Sequence, residues 1–502
     1  MSPNKGIWKV ITASSVGTLI EWYDFYIFGS LSTIIASKFF PSTNPTAALL
    51  STLATFAAGF IVRPFGALVF GRLGDIIGRK YTFLLTLVLM GGSTFLIGCV
   101  PAYATIGGWA PVLVLLLRLL QGLALGGEYG GAATYVAEHA PANRRGYYTS
   151  WIQTTATLGL FLSLIVILGI RKLVGVAEFS NGNGWRYPFL LSIVLVIVSI
   201  FIRLRMNESP LFARLKREGK TSVNPLKESF GHKTNFKMVL VSLFGATMGQ
   251  GVIWYTSQFY AQTFILTKCA VEYEQANTMI LIALVAVTPF FVAFGGLSDK
   301  WGRKNIILLG LLLGVLTYRP LFRQLYNTAD VTQKTIVADE TKVDYKSELV
   351  AGSTDSLHTT TVLNFFSDGS RQKIVTTQKI PASGEKAKPE IKKETTLGEQ
   401  SRWTMIGIIA LMVLFVTMVY GPIAAYLVEL FPTRIRYTSM SLPYHIGNGV
   451  FGGLVPFIAT LITTFPGTDY LSGLWYPIGV AALSLVIGGL YLTNKIDSNI
   501  DD

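Results

Sequence analysis

Five ionisable side chains lie inside long apolar stretches of the sequence, well away from the ends of those stretches. They are three acids and two arginines: Glu21, Asp24, Arg63, Arg118 and Glu128. An ionised group inside a membrane costs about 2.5–3.5 kcal/mol even on insertion scales, so each should line a cavity, pair with an opposite charge or change its protonation state. Because the acids outnumber the arginines, one carboxyl group remains that could bind and release a proton.

Spacing along the predicted helices places these groups on shared faces. Glu21 and Asp24 are three residues apart, and Arg118, Gln121 and Glu128 follow one stripe of a later helix. We predict that Glu21 or Asp24 carries a proton, and that Arg118 and Glu128 form an ion pair that opens and closes. Two alternatives stay open: a permanent ion pair that packs helices, and acids whose hydrogen bonds only order the first helix.

A second set of residues has the chemistry to contact a small solute. Arg63 has forked donors that suit a carboxylate, although it could instead bond to backbone carbonyls freed by Pro64. Aromatic rings could enclose a quaternary ammonium group, or simply pack against lipid and protein. The predicted solute-binding residues are Tyr23, Arg63, Gln121, Trp254, Tyr255, Gln258 and Asn448.

These side chains must be positioned by membrane-spanning helices. Of the 502 residues, 51% are hydrophobic and only 14% are charged, against about 25% charged in soluble domains. Apolar segments of about 20 residues, enough to cross about 30 Å of hydrocarbon, recur along the whole chain. The twelve predicted spans are 13–36, 47–70, 81–100, 109–137, 147–170, 187–206, 239–266, 276–297, 305–326, 403–428, 441–465 and 470–493.

The net charge of +14 is unevenly distributed along the chain. With the N-terminus inside the cell, the inner ends and loops hold 22 of the 42 lysines and arginines, and the short outer loops hold five. This bias predicts a multi-pass protein of the plasma or inner membrane with both termini in the cytoplasm. Contact with anionic lipid headgroups explains the basic linker at 207–238 without any nucleic-acid partner.

The chain contains an internal duplication. Gly71–Lys80 and Gly295–Lys304 match at six of ten positions, and a second pair of similar segments surrounds Arg145 and Arg436. The separations of the two pairs differ because about 67 residues are inserted in the second half. The predicted parts are an N-terminal six-helix bundle at 1–206, a cytoplasmic linker at 207–238, a C-terminal bundle at 239–326 and 402–502, and an extracytoplasmic insertion at 327–401.

The insertion is polar and contains no membrane-length apolar segment. Thr359–Phe366 and Arg371–Ile380 flank Ser367-Asp368-Gly369, which predicts a β-hairpin around an Asp-Gly turn. The following 382–393 segment is predicted to be a flexible tether. Its role is either that of a solvated appendage or that of a partner-binding or gating element.

Several motifs resemble those of a known family. The Gly-x-x-x-Asp-x-x-Gly-Arg-Lys loops ending at Lys80 and Lys304 resemble the signature of the major facilitator superfamily. Four further segments resemble its metabolite:H⁺ symporter family: Gly17–Phe25, Phe60–Pro64, Arg118–Tyr129 and Glu208–Pro210. Ile76 departs from the loop signature, which usually has a basic residue there, and the insertion is not part of the family's common core.

This resemblance implies an all-α fold of twelve transmembrane helices in two pseudo-symmetric bundles. It also implies that the loops hold the halves together on one side, through the predicted gating residues Asp75, Arg79, Glu138, Arg145, Asp299, Arg303 and Glu429. The implied function is proton symport of a small organic solute by alternating access, in a monomer. A carboxylate metabolite is the first choice of solute, and a zwitterionic osmolyte of the proline or betaine type is the second. An alternative function is that of a membrane sensor with a transporter-like fold.

Catalytic chemistry is not expected. The four histidines, at 139, 232, 358 and 445, lack metal-ligand spacing, and the sequence contains no nucleophile elbow. We therefore predict that the protein is not an enzyme and has no metal or cofactor.

Overall fold

The structure of the protein, a computed structural model, describes residues 3–40, 44–77, 79–127, 129–204, 225–337, 341–349, 356–380, 389–431 and 436–494. Within these ranges all twelve predicted segments lie on helices. Ten helical stretches of the described chain are long and apolar enough to cross a membrane, and Leu84–Cys99 is a shorter apolar helix. The remaining predicted span, the first, is also helical.

Eleven helices form the described part of the first half. They are α1 (Pro3–Ser30), α2 (Ser32–Phe39), α3 (Pro45–Ile61), α4 (Arg63–Ile77), α5 (Arg79–Cys99), α6 (Tyr103–Ile106), α7 (Trp109–Gly126), α8 (Tyr129–His139), α9 (Arg145–Val174), α10 (Val176–Ser180) and α11 (Tyr187–Leu204). Most of the predicted linker lies outside the described residues.

The second half contains helices and one β-sheet. The helices are α12 (Pro225–Gly231), α13 (Lys233–Ser242), α14 (Met248–Tyr255), α15 (Ala261–Thr267), α16 (Tyr273–Val287), α17 (Pro289–Trp301), α18 (Arg303–Ala329), α19 (Glu399–Tyr420), α20 (Ile423–Leu430), α21 (Arg436–His445), α22 (Val455–Ile462) and α23 (Trp475–Tyr491). Three π-helical segments interrupt these spans: π1 (Leu243–Thr247), π2 (Thr256–Tyr260) and π3 (Ile446–Gly452).

Local sequence determines where several helices begin and end. Asn44 caps α3, because its Oδ1 accepts a hydrogen bond from the Ala47 amide at 3.1 Å, and Pro45 occupies the first helical position. Gly302 ends α17 with a φ of +89°, which glycine adopts without strain. The turn lets α18 start immediately at Arg303, so the repeated Gly-Arg-Lys motif sets the geometry of this helix junction.

The first helix begins at Pro3, ten residues before the predicted start of its span. Ile7 and Ile11 are buried in a cluster with Val136, Tyr148 and Ile152 of α8 and α9. This early turn is therefore held by tertiary packing.

Glycines let α7 approach α3 and α4 closely. A Cβ atom at Gly122 would lie 1.6 Å from the Gly59 carbonyl oxygen, and one at Gly126 would lie 2.1 Å from the Arg63 oxygen. Any larger residue would force the helices apart, as expected for small residues at membrane helix interfaces. The close contact fixes Arg63 and Arg118, which belong to these helices, in the protein interior.

Contacts within the chain define two compact units. The first comprises Met1–Tyr260, Leu284–Tyr318 and Met412–Asp502; the second comprises Ala261–Ala283 and Arg319–Leu411. The second unit contains an antiparallel sheet in the order β1-β2-β3-β4: β1 (Lys342–Leu349), β2 (Ser356–Phe365), β3 (Arg371–Ile380) and β4 (Glu390–Thr396).

The predicted hairpin is confirmed, and it belongs to a larger sheet. Strands β2 and β3 pair over their full length around the turn at 366–370, where Gly369 has a φ of +79°. The predicted tether at 382–393 is partly wrong, because residues from Glu390 onward pair with β3 as strand β4. Residues 382–388 lie outside the described chain.

Asp368 anchors the hairpin turn. Its Oδ2 accepts hydrogen bonds from Lys334 Nζ at 2.7 Å, Ser370 Oγ at 2.8 Å and Ser401 Oγ at 3.1 Å. Partial burial opposes ionisation of the carboxyl group, but the bonds from Lys334 and Ser370 outweigh it and lower the Asp368 pKa to about 2. The ionised carboxylate thus stabilises the turn.

Asp368→Asn is expected to loosen this hairpin by about 1 kcal/mol, because it removes a charged acceptor that is partly exposed. The contribution of Asp368 is complete above its unfolded pKa, near 4, and is lost as the pH falls towards the folded value of about 2. Hydrogen exchange of the hairpin amides in the whole protein at neutral pH measures the effect. Asp344→Asn, on the exposed strand β1, is the control. If hydrogen exchange of the hairpin amides accelerates equally in both variants, Asp368 does not anchor the turn.

Candidate functional site

An aromatic layer joins the two halves of the first unit. It consists of Tyr26, Phe56, Phe60, Trp254, Tyr255 and Phe259. The ring of Tyr26 lies 5.0 Å from that of Phe259, and the ring of Phe60 lies 4.9 Å from that of Tyr255. All six rings are buried. The layer therefore closes the space between α1 and α3 on one side and α14 and π2 on the other.

Arg63 is fully buried beside this layer. Its guanidinium carbon lies 4.0 Å from the centroid of the Phe60 ring, 4.5 Å from Phe25 and 5.3 Å from Trp22. Neither Nε nor Nη2 makes a hydrogen bond to any residue that the structure describes. Aromatic faces stabilise the cation but satisfy no N–H donor, so two donors remain available to an anionic ligand.

A small cavity adjoins Arg63. Its volume is about 10 Å³, enough for about one water molecule. The wall combines residues of both halves: Thr18, Trp22, Arg63, Leu125, Tyr129, Tyr444 and His445. Most of these side chains carry a polar or cationic group, but it is mainly their apolar atoms that face the cavity.

Arg118 is engaged by the protein itself. Its Nη1 donates to Gln121 Oε1 at 2.7 Å and to the Phe25 carbonyl at 3.3 Å, and Nη2 donates to the Phe56 carbonyl at 3.4 Å. These bonds tie α7 to α1 and α3. Its predicted partner Glu128 lies outside the described residues, so their pairing stays a prediction.

The two acids of α1 are both fully buried. Neither carboxylate oxygen of Asp24 has a hydrogen-bond partner among the described residues, and Oδ2 lies 3.3 Å from where a Cβ of Gly91 would be. A carboxylate without a donor is costly in a medium of low dielectric constant. In this conformation the uncharged acid is the form that the surroundings of Asp24 favour.

The other predicted solute-binding residues lie away from the cavity wall. Tyr23 donates to the Pro188 carbonyl at 2.8 Å, Gln121 donates to Thr94 Oγ1 at 2.6 Å, and Asn448 donates to Gln250 Oε1 at 2.7 Å. Trp254 and Tyr255 belong to the aromatic layer. Gln258, in π2, is buried and its amide group has no described hydrogen-bond partner. Of the predicted set, only Arg63 lines the cavity.

Six of the seven residues that line the cavity were missing from the predicted set, among them Tyr129, Tyr444 and His445. Tyr129 and Tyr444 stack across the two halves with ring centroids 3.5 Å apart and an interplanar angle of 3°. Tyr129 accepts a hydrogen bond from Gln153 Nε2 at 2.6 Å. His445 is buried next to Tyr444. Among these residues a sequence signal existed for His445, an ionisable side chain inside a predicted span of the second half.

Asp299 connects the two halves at the end of the helices that is predicted to face the cytoplasm. Its Oδ1 accepts from the Gly146 amide at 2.8 Å, and Oδ2 accepts from the Tyr147 amide at 2.9 Å. These amides belong to the first turn of α9, where N–H groups have no helical partner and the helix dipole favours negative charge. Asp299 therefore caps a helix of the other half.

Arg303 extends this connection to α20. Its Nη1 lies 2.9 Å from Asp299 Oδ1, while Nε and Nη2 bind the Glu429 carboxylate at 2.6 and 2.7 Å. The bidentate pair is buried and holds Arg303 in place. We call Gly146, Tyr147, Asp299, Arg303 and Glu429 the Asp299 latch.

The predicted gating set is only partly visible. Arg145 is near the latch, but its Nε and Nη1 bond to no described residue, so the helix amides after it make the contact. Asp75 is in α4, Arg79 begins α5 and Glu138 is in α8; their side chains lie outside what the structure describes. Gating by this first copy of the motif stays a prediction.

Asp299→Asn is expected to open the latch. The amide keeps one acceptor but loses the charge that binds the start of α9 and Arg303, at a cost of about 2 kcal/mol, or roughly thirtyfold in the ratio of closed to open states. Ser150 is buried where α9 meets α17. In a chain without Cys99 and Cys269, maleimide should therefore label Ser150→Cys faster when Asp299→Asn is present than when it is absent.

The matched control is Lys300→Gln, which removes an exposed charge from the same end of α17. Equal labelling rates with and without Asp299→Asn would contradict the latch.

Comparison with known proteins identifies relatives along the whole chain. Residues 9–229 match the family model for "Sugar (and other) transporter" proteins. The inner membrane metabolite transport protein YhjE of Escherichia coli is 30% identical over 498 residues, covering 97% of this chain and 94% of that protein. The α-ketoglutarate permease of Escherichia coli is 37% identical over 324 residues, covering 64% and 73% of the two chains. The proline/betaine transporter of Salmonella typhimurium is 34% identical over 315 residues, covering 60% and 61%.

A solved structure has the same fold. The xylose transporter XylE of Escherichia coli, in a partially occluded inward-open conformation, aligns with a TM-score of 0.66 at 17% identity and covers 98% of this chain and 99% of its own. The helices, the repeated loops and the full-length relative all indicate the same family. The chain belongs to the metabolite transport proteins of the major facilitator superfamily.

Proposed function

We propose that this transporter is a proton symporter for a small carboxylate metabolite. The observation that carries the proposal is Arg63, a buried cation with two unbonded donor nitrogens beside a small cavity that residues of both halves line. Two forked N–H groups suit a carboxylate, and the apolar surroundings strengthen the attraction. An α-ketoglutarate permease among the relatives supports this substrate class.

The solute enters by alternating access in this proposal. The cavity of about 10 Å³ is too small for a metabolite, so the two halves must part for a solute to enter. Parting the aromatic layer would open it to one side, and releasing the latch would open it to the other. The glycine contacts of α7 with α3 and α4 provide surfaces along which these helices can move.

Asp24 is the proposed proton carrier. An acid with no donor for either oxygen is favoured in its uncharged form here, and opening of the halves would admit water that stabilises the carboxylate. Proton binding then belongs to the closed state and release to an open state, which couples the proton to the conformational cycle. Glu21, one turn away and also buried, is the alternative carrier.

A zwitterionic osmolyte is the second candidate solute. The cavity wall includes the rings of Trp22, Tyr129 and Tyr444, whose faces attract quaternary ammonium groups. The proline/betaine transporter among the relatives supports this alternative. A transporter-like sensor would bind its ligand without moving it.

In the proposed arrangement the protein lies in the inner membrane, surrounded by lipid, with both termini in the cytoplasm. One chain contains a whole translocation pathway, so the monomer is the transport unit. The basic linker contacts anionic headgroups.

Transport by the purified protein in proteoliposomes tests the proposal. A panel of dicarboxylates, monocarboxylates, proline and glycine betaine should yield one class that accumulates inside, together with alkalinisation of the external buffer. Solute uptake without proton movement would overturn symport; binding without uptake would favour the sensor. Accumulation of betaine but no carboxylate would select the second candidate.

A further inference from the structure

The side chain of Phe25 lies against both buried arginines of the first half. The centroid of its ring is 4.5 Å from the guanidinium carbon of Arg63 and 4.1 Å from that of Arg118. All three side chains are fully buried. The main-chain carbonyl of Phe25 also accepts a hydrogen bond from Arg118 Nη1 at 3.3 Å. Phe25 is therefore tied to one arginine through its backbone, while its ring contacts both.

Three aromatic rings surround the guanidinium group of each arginine. The rings around Arg63 are those of Trp22, Phe25 and Phe60, with centroids 5.3, 4.5 and 4.0 Å from its guanidinium carbon. We call these three residues the Arg63 cage. The rings around Arg118 are at 4.1, 4.7 and 5.1 Å and belong to Phe25, Phe28 and Phe56. Phe25 is a member of both sets.

The Arg63 cage takes the place that an acid would have in an ion pair. The ion pairs of the described residues involve Arg303, Lys334 and Lys392, and none includes Arg63. A buried charge without compensation is costly, but an acid partner would occupy the donors that a solute needs. Aromatic faces attract the cation, whereas the N–H donors of a guanidinium group project in its own plane. The cage can therefore stabilise the charge and leave Nε and Nη2 unbonded.

We propose that Phe25 is a positioning residue for solute binding, whose ring holds the guanidinium group of Arg63 beside the cavity by cation–π attraction. The inference rests on the proposed function, because it requires that Arg63 recognises a carboxylate solute. The Phe25 ring is itself held in place, since it packs edge-on against Phe60 with centroids 4.3 Å apart and an interplanar angle of 76°. A cation that is already ordered loses less conformational freedom when the solute binds.

Apolar packing alone would also bury a phenyl ring at this position. The two roles differ in their dependence on the charge distribution of the ring. Fluorine substituents withdraw electron density from the face of the ring and weaken its attraction for a cation stepwise, while the size of the ring changes little. Fluorination therefore tests the cation–π contact without creating a cavity.

Uptake kinetics of the whole protein in proteoliposomes are the first test. Phe25 is replaced by mono-, di- and trifluorophenylalanine through stop-codon suppression. The probe is the best-transported carboxylate of the proteoliposome panel, starting with α-ketoglutarate. The KM should rise with each fluorine, to about tenfold for the trifluoro variant, with little change in kcat. A KM that stays constant across the series would overturn the proposal.

The same series at two other positions provides the controls. Phe28 contacts Arg118, and Arg63 is not among the cations over its ring, so fluorination of Phe28 should leave the KM unchanged. Phe60 belongs to the Arg63 cage, so its series should raise the KM as the Phe25 series does. An equal rise at Phe28 and Phe25 would show a general effect of fluorine in this bundle and refute a specific role of Phe25.

A thermal double-mutant cycle separates this inference from the proposed function, because it needs no solute. Trifluorophenylalanine at position 25 should lower the melting temperature more in the wild-type chain than in an Arg63→Gln chain, where one of its two cations is gone. Equal decreases in both chains would overturn the cage, even if Arg63→Gln raises the carboxylate KM. Unequal decreases with an unchanged KM in Arg63→Gln would instead overturn solute recognition by Arg63, and with it the positioning role of Phe25.

Discussion

Asp24→Asn is expected to abolish solute accumulation driven by a pH gradient while leaving solute exchange across the membrane. The asparagine has nearly the same shape, so α1 and its packing against α5 and α11 should persist. It cannot bind and release a proton, so the inward flux of protons no longer performs work on the solute. We expect the accumulation ratio to fall to one, the value for passive equilibration.

The measurement uses proteoliposomes with an imposed pH gradient, followed by counterflow of labelled solute without a gradient. Tyr23→Phe is the matched control, because it removes a buried hydrogen bond from the same turn of α1 without removing an acid. Tyr23→Phe should accumulate solute nearly normally.

Glu21→Gln separates the two candidate carriers. Uncoupling by this variant, together with normal accumulation by Asp24→Asn, would transfer the role to Glu21. If both variants accumulate solute normally, no acid of α1 carries the proton.

Arg63→Lys is expected to raise the KM for a carboxylate solute by about a hundredfold, although the positive charge remains. A lysine offers a point charge without the planar fork, and losing a bidentate contact in an apolar site costs about 2–4 kcal/mol. The KM for a betaine would change less if the aromatic rings provide most of its binding. Initial uptake rates over a range of solute concentrations measure both values.

Arg118→Lys is the matched comparison, because both arginines are fully buried in the same bundle. The donors of Arg118 bind Gln121 and two backbone carbonyls, so this change should lower the melting temperature with little effect on the KM of the folded protein. An unchanged carboxylate KM in both Arg63→Lys and Arg63→Gln would refute solute recognition by Arg63.

The twelve helices were predictable because length and hydropathy alone decide what crosses a membrane. The hairpin was predictable because an Asp-Gly turn between alternating strands is a local signal. The early start of α1 was missed, since Ile7 and Ile11 are helical through contacts with α8 and α9 that no local pattern shows. Strand β4 was missed because its lysines and glutamates resemble a flexible, charged segment until pairing with β3 is known.

The sequence identified which residue types are functional candidates, but it did not show which neighbours each side chain contacts. A buried arginine or acid is unusual wherever it lies in a span, so Arg63, Arg118, Glu21 and Asp24 could be selected from composition alone. Which arginine keeps free donors depends on whether neighbouring helices offer carbonyls: α1 and α3 offer two to Arg118, whereas rings surround Arg63.

The sequence by itself determined the class of protein, the number of spans, the duplicated loops and the chemical groups available for coupling, because each depends on composition or on repetition along the chain. Only the tertiary structure decided that Tyr129 meets Tyr444, that Asp299 caps a helix of the other half, and that Tyr23 faces α11. These contacts join residues more than 150 positions apart. Their geometry follows from how helices pack around the glycines, which no periodicity within one helix records.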